Sequence, residues 1–117
     1  MESAEPELTS PRESSDTLRA LAGDLQEFAR ARDWEQFHNP KNLSMAVMIE
    51  AAELAEHFQW ATAEQSLQLD PAVRREVAME IADVLIYLTR LADGLNIDPV
   101  QAARDKMRLN ASRFPPP

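Results

Sequence analysis

Residues 70–94 read DPAVRREVAMEIADVLIYLTRLADG, and this stretch decides the fold. Asp70-Pro71 is a cap followed by a proline at the first helical position, where a missing N–H costs nothing. No proline or glycine interrupts the chain from Ala72 to Asp93. Gly94 then reads as the C-terminal stop. At about 100° per residue, Glu76, Glu80, Asp83 and Tyr87 fall on one stripe roughly 60° wide. Val77, Val84, Leu88 and Leu91 flank it on one side, and Met79, Ala82 and Ile86 on the other. An ordinary surface helix has one apolar face and one broad polar face. A narrow acidic stripe with apolar residues on both sides places its carboxylates in partial burial.

The preceding helix repeats the plan. From about Asn42 to Trp60, Glu50, Glu53 and His57 form a polar stripe. Leu43, Val47, Leu54 and Phe58 lie on one side of it, and Met45, Ile49 and Ala52 on the other. Glu50/Glu53 and Glu80/Asp83 each have i, i+3 spacing, so each pair shares a helix face. If the helices lie antiparallel, four carboxylates meet. Sheltered, unpaired carboxylates are costly unless something cationic neutralises them. Within the stripes as drawn there is no Lys or Arg. Four hard oxygen donors and no sulfur suit Mg²⁺, with Mn²⁺ as the alternative. A solvated or salt-bridged acidic groove is the competing reading of the same pattern. The doubled apolar flanks leave one face of each helix to pack within the chain and one that needs a partner, most simply across a two-fold axis.

Around these two helices the rest of the chain falls into place. Residues 1–14 are polar, with two prolines, and read as a disordered tail. The folded domain is placed at residues 15–114, with 115–117 a proline tail. Ser15 or Asp16 is the expected cap of a first helix ending near Arg32, with Leu18, Leu21, Leu25 and Phe28 on one face. Asp33 to Lys41 reads as a loop, because Pro40 disfavours helix at Asn39. Residues 61–69 are a connection with room for one helical turn. Asp98-Pro99 opens a last helix that ends near Ser112. The fold class is thus all-α, a four-helix bundle completed by oligomerisation.

Composition supports this and narrows the function. Two glycines among 117 residues, with abundant Ala, Leu, Glu, Arg and Gln, favour helix. A formal charge of −8 argues against nucleic acid as a partner, since phosphate neutralisation needs a basic face. An acidic protein that takes a triphosphate needs cations between its carboxylates and the substrate. The absence of cysteine excludes thiolate chemistry and disulfides. No basic n-region or long apolar run points to secretion or a membrane, so the expected compartment is the cytoplasm.

Glu50-Ala-Ala-Glu53 followed by Glu80-Ile-Ala-Asp83 resembles the E-x-x-E … E-x-x-D signature of MazG-like all-α NTP pyrophosphatases. DWEQFH (33–38), FHNPKNL (37–43), AELAEHFQW (52–60) and DVLIYL (83–88) resemble the dCTP pyrophosphatase branch. The likeness covers roughly Leu18 to Pro115. It implies hydrolysis of a nucleoside triphosphate, dCTP or a modified dCTP, to monophosphate and pyrophosphate, in nucleotide-pool cleaning. It implies Glu50, Glu53, Glu80 and Asp83 as Mg²⁺ ligands, with Glu50 or Glu53 taking the proton of the attacking water. It implies Trp34 and His38 in a base and sugar pocket, and Trp60 in a pocket built from more than one subunit. It implies Tyr87, Lys106 and Asn110 at the sugar and phosphates.

Two departures stand out. Ile49 replaces a further Glu of many MazG-like members, which the dCTP branch also lacks. Animal dCTP pyrophosphatases place a histidine in the first helix, whereas here the only histidines are His38 and His57. A broad-specificity house-cleaning pyrophosphatase is the alternative within the class. A non-catalytic oligomeric helical module is the alternative outside it. A carboxylate-bridged di-iron bundle needs paired Glu-x-x-His motifs, and only Glu35-x-x-His38 has that form. Taken alone, Trp34 and Trp60 also suit core or interface packing.

Overall fold

The computed structural model describes residues 17–117. The order is α1 (Leu18–Ala31), a 3-10 turn (Glu35–Phe37), α2 (Pro40–Glu56), α3 (Ala63–Ser66), α4 (Pro71–Gly94) and α5 (Pro99–Arg113). No strand occurs among the described residues. None of their helices is long and apolar enough to cross a membrane. The expected tail at 1–14 and the expected caps Ser15 and Asp16 lie outside the described residues. Thr17 caps α1 instead, its Oγ1 accepting the Ala20 N–H at 3.1 Å.

The caps explain most boundaries. Asn39 is extended and its Oδ1 accepts the Asn42 N–H at 2.9 Å. Pro40 therefore sits at the helix start, and α2 begins two residues before the expected Asn42. It also ends earlier, at Glu56, with residues 57–60 in turns. Thr62 and Gln65 form a reciprocal capping box that opens the short α3 within the expected connection. Asp98 caps α5, accepting from the Val100 and Gln101 N–H groups.

Gly94 is not the stop it was expected to be. It is the last residue of α4, and Asn96 takes the left-handed conformation at φ 57°. The Asn96 N–H donates to Asp93 and the Ile97 N–H to Ala92, which closes a Schellman motif. Asp33, at φ 56°, does the same after α1. Its N–H donates to Arg30, and the Trp34 N–H donates to Ala29 at 2.9 Å. Asn and Asp tolerate this conformation better than most non-glycine residues.

α4 is the central helix, packed mainly against α2 and also against α1. Glu50 meets Asp83, while His57, just past the end of α2, meets Glu80 and Glu76, earlier in α4. The pair is antiparallel, as the acidic pattern required. On α2 one apolar stripe is covered: Leu43 is buried, and Val47, Leu54 and Phe58 are half-buried. The other stripe, Met45, Ile49 and Ala52, is exposed. Only Ala29, Leu43 and Val77 are fully buried hydrophobic residues among those described. α5 makes only sparse contacts with the other helices.

Candidate active site

The antiparallel crossing of α2 and α4 brings the acids together. One carboxylate oxygen each from Glu50, Glu80 and Asp83 lies within 4.8 Å of the others. Glu53 sits beside them, on the exposed side. Glu50 Oε2 and Glu80 Oε2 are occluded and accept no hydrogen bond. Burial, then the neighbouring Glu53 side chain and the charges of Glu53, Asp83 and Glu80, push the Glu50 carboxyl up to about 7. Burial and the same neighbours raise Glu80, while the charge of His57 acts in the opposite direction. His57 Nε2 stands 4.0 Å from Glu80 Oε1, and its Nδ1 4.0 Å from Glu76 Oε2. Those distances are too long for hydrogen bonds that would satisfy the acids. Clustered carboxylates with orphaned oxygens are a donor set that a hard divalent cation completes.

Asp83 also opens onto a cavity of about 520 Å³, lined on its other sides by α1, the turn after it and the C-terminal half of α4. Trp34, His38 and Tyr87, each expected at the substrate, all line it. The Schellman motif at Asp33 drives Trp34 back onto the end of α1, edge-on to Phe28 with ring centroids 5.7 Å apart. That is the apolar contact such motifs characteristically make. The 33–39 loop is pinned further by Gln36 Nε2 donating to the Asp33 carbonyl and Asn42 Nδ2 donating to the Phe37 carbonyl. The aromatic wall is thus fixed before any ligand arrives.

Sequence reasoning missed Arg90. It is buried, it lines the cavity, and its Nε donates to His38 Nδ1 at 3.2 Å. Burial and then the Arg90 charge lower the His38 pKa from its ordinary value. The helical spacing held the signal: Arg90 follows Asp83 and Tyr87 at i+7 and i+3, on the same stripe. The stripe runs one turn beyond Tyr87 and, contrary to expectation, does carry an arginine.

Trp60, Lys106 and Asn110 are not brought to this cavity within the chain. Trp60 is 88% exposed in the turns that follow α2, and both α5 residues are exposed.

The comparisons agree with this architecture. The profile of the MazG-like family matches residues 45–115, which includes all four acids. The chain is 43% identical over 114 residues to the dCTP pyrophosphatase 1 of Mus musculus, covering 96% of this chain and 65% of the relative. It is 44% identical over 108 residues to that of Homo sapiens, covering 91% of this chain and 62% of the relative. The chain thus spans somewhat under two thirds of the length of these curated relatives. A crystal structure of a pyrophosphatase from Archaeoglobus fulgidus superposes with a TM-score of 0.80 at 35% identity, covering 96% of this chain and all of that one. With a family profile over most of its length and a matching solved fold, the chain belongs to the MazG-like family.

Proposed function

We propose that this chain is a Mg²⁺-dependent nucleoside triphosphate pyrophosphatase that hydrolyses dCTP, or a modified dCTP, to the monophosphate and pyrophosphate. One observation carries the reading: Asp83 belongs both to the carboxylate cluster and to the wall of the aromatic cavity. A base held against Trp34 would therefore have its phosphates beside the acids. The cavity volume falls in the ordinary range for small-molecule sites, roughly 300–1,000 Å³. The relatives named dCTP pyrophosphatase and the pyrophosphatase of the same fold point to the same reaction.

Glu50, Glu80 and Asp83 would hold the cation, with Glu53 at its open side. When bound, the ion supplies positive charge for the phosphate oxygens and eases deprotonation of water. Phosphoryl transfer asks the protein mainly for positioning and charge stabilisation. Glu50 and Glu53 share the proton-accepting role, and Glu53 is the one open to solvent. Trp34 gives the base an aromatic face, and Tyr87 a hydroxyl beside Asp83. Lys106 and Asn110 serve the phosphates and Trp60 closes a pocket, each delivered to the site of a second copy in a homodimer or homotetramer. The exposed Met45, Ile49 and Trp60 support that assembly. We place the enzyme in the cytoplasm, in nucleotide-pool cleaning.

A broad-specificity reading has one observation in its favour. The α1 wall of the cavity is Leu25, Phe28 and Ala29, with no polar group to read a base. Pyrophosphate release across dCTP, modified dCTPs, dUTP, dTTP and ITP, with and without Mg²⁺, tests both. Mg²⁺-dependent release of pyrophosphate with a clear cytosine preference is the expected result. Equal rates across bases would favour broad specificity. Full activity in EDTA, or release of orthophosphate alone, would overturn the mechanism.

A further inference from the structure

Arg90 is a buried cation that pairs with no carboxylate among the described residues. Its one side-chain hydrogen bond there goes to an imidazole nitrogen. A guanidinium has five donors and no acceptor, and it stays protonated. His38 Nδ1 must therefore be the acceptor and carry no proton. A neutral imidazole with an unprotonated Nδ1 bears its hydrogen on Nε2. No protein group among the described residues bonds Nε2, and it is not among the occluded unpartnered atoms. The lowered His38 pKa keeps the ring neutral around physiological pH, as this arrangement requires.

We propose that Arg90 is a positioning residue for base selection: it locks His38 in the Nε2–H tautomer, so that the end of the cavity formed by the two residues offers hydrogen-bond donors only. Cytosine presents adjacent acceptors at O2 and N3. Uracil presents O2 beside an N3–H, which meets such a site donor to donor. The donor-only end therefore selects the cytosine edge, and it supplies polarity that the apolar α1 wall does not. This inference rests on the reading that the cavity holds a nucleobase.

The test uses the intact protein labelled with ¹⁵N-histidine. Its two histidines make the spectrum simple, and His38→Gln assigns the signals. At neutral pH, His38 should show a bare Nδ1 and a protonated Nε2. In Arg90→Met, its shifts should move toward a tautomer mixture. dCMP and dUMP are then titrated without metal. The native chain should prefer dCMP by about tenfold or more, the scale of one charge-assisted hydrogen bond. Arg90→Met should bring that ratio close to one. Arg90→Gln carries an amide that can accept as well as donate, so the donor-only constraint is gone and the tautomer lock should be lost as well. Circular dichroism confirms the fold of each variant. If Arg90→Met fails to fold, Arg90→Gln and the native tautomer decide the matter.

A protonated Nδ1 in the native chain, or an unchanged nucleotide ratio in a folded Arg90 variant, overturns the proposal. Failure of dCTP hydrolysis in the substrate panel would strike the proposed activity. The tautomer and mononucleotide measurements would still decide this inference.

Discussion

The two ends of the proposed substrate site are built in different ways. Around Trp34, His38 and Arg90 the chain supplies everything itself: a Schellman turn, side-chain bonds that pin the loop, and a buried cation. Around Trp60 and α5 it supplies residues with nothing to act on. Trp60 is almost wholly exposed, and Lys106 and Asn110 lie on a helix with few contacts to the rest. The base end is preorganised by local hydrogen bonds within one chain. The phosphate end, in the function proposed here, would take its form from packing between copies. The carboxylate cluster sits between the two and belongs to the self-sufficient part.

Breaking the self-sufficient part should have the largest effect. Asp83→Ala or Glu50→Ala should lower pyrophosphate release by more than about a hundredfold, since even an outer-shell partner of a metal ligand is worth about 10–100-fold. Helical content by circular dichroism should hardly change. Retained turnover in either variant would remove the acids from the site.

The intermolecular part should fail more gently, and differently. Met45→Glu puts a charge into the bare α2 stripe and should shift the protein to smaller species in sedimentation velocity. Trp60→Ala should raise KM by about tenfold, as loss of a buried aromatic anchor does at an interface. Neither change should weaken metal binding. An active monomer, or a Trp60→Ala variant with unchanged KM, would show that one chain is enough.

The sequence told of the fold wherever periodicity and caps agree. The four long helices and the antiparallel acid pairs were readable from it, as was the expectation that one apolar stripe of α2 packs within the chain, though not which one. So were the extended Asn39 and the capping role of Asp98, because prolines fix both neighbourhoods. The Gly94 stop was misread because Asn96, two residues on, can also take the left-handed conformation and closes the motif there. Arg90 was missed because an arginine near a helix end reads as a surface cation. Its burial depends on the return of the 33–38 loop over α4, a contact between residues 52 positions apart. Trp60, Lys106 and Asn110 were singled out by resemblance alone, and within a single chain no packing explains them.

The direct test of the central claim, that the acids need a cation, is the melting temperature of metal-stripped protein against pH, with and without Mg²⁺. The folded state raises the Glu50 pKa from 4.5 to about 7, so it holds a proton that the unfolded chain has released. That stabilisation is fully present below the ordinary carboxyl value and is lost as pH rises through about 7. Metal-free protein should therefore melt at progressively lower temperature across that window. Saturating Mg²⁺ should restore stability most strongly above it, where the carboxylates are ionised and no proton competes. Melting curves above neutral pH that do not respond to Mg²⁺ would contradict the account.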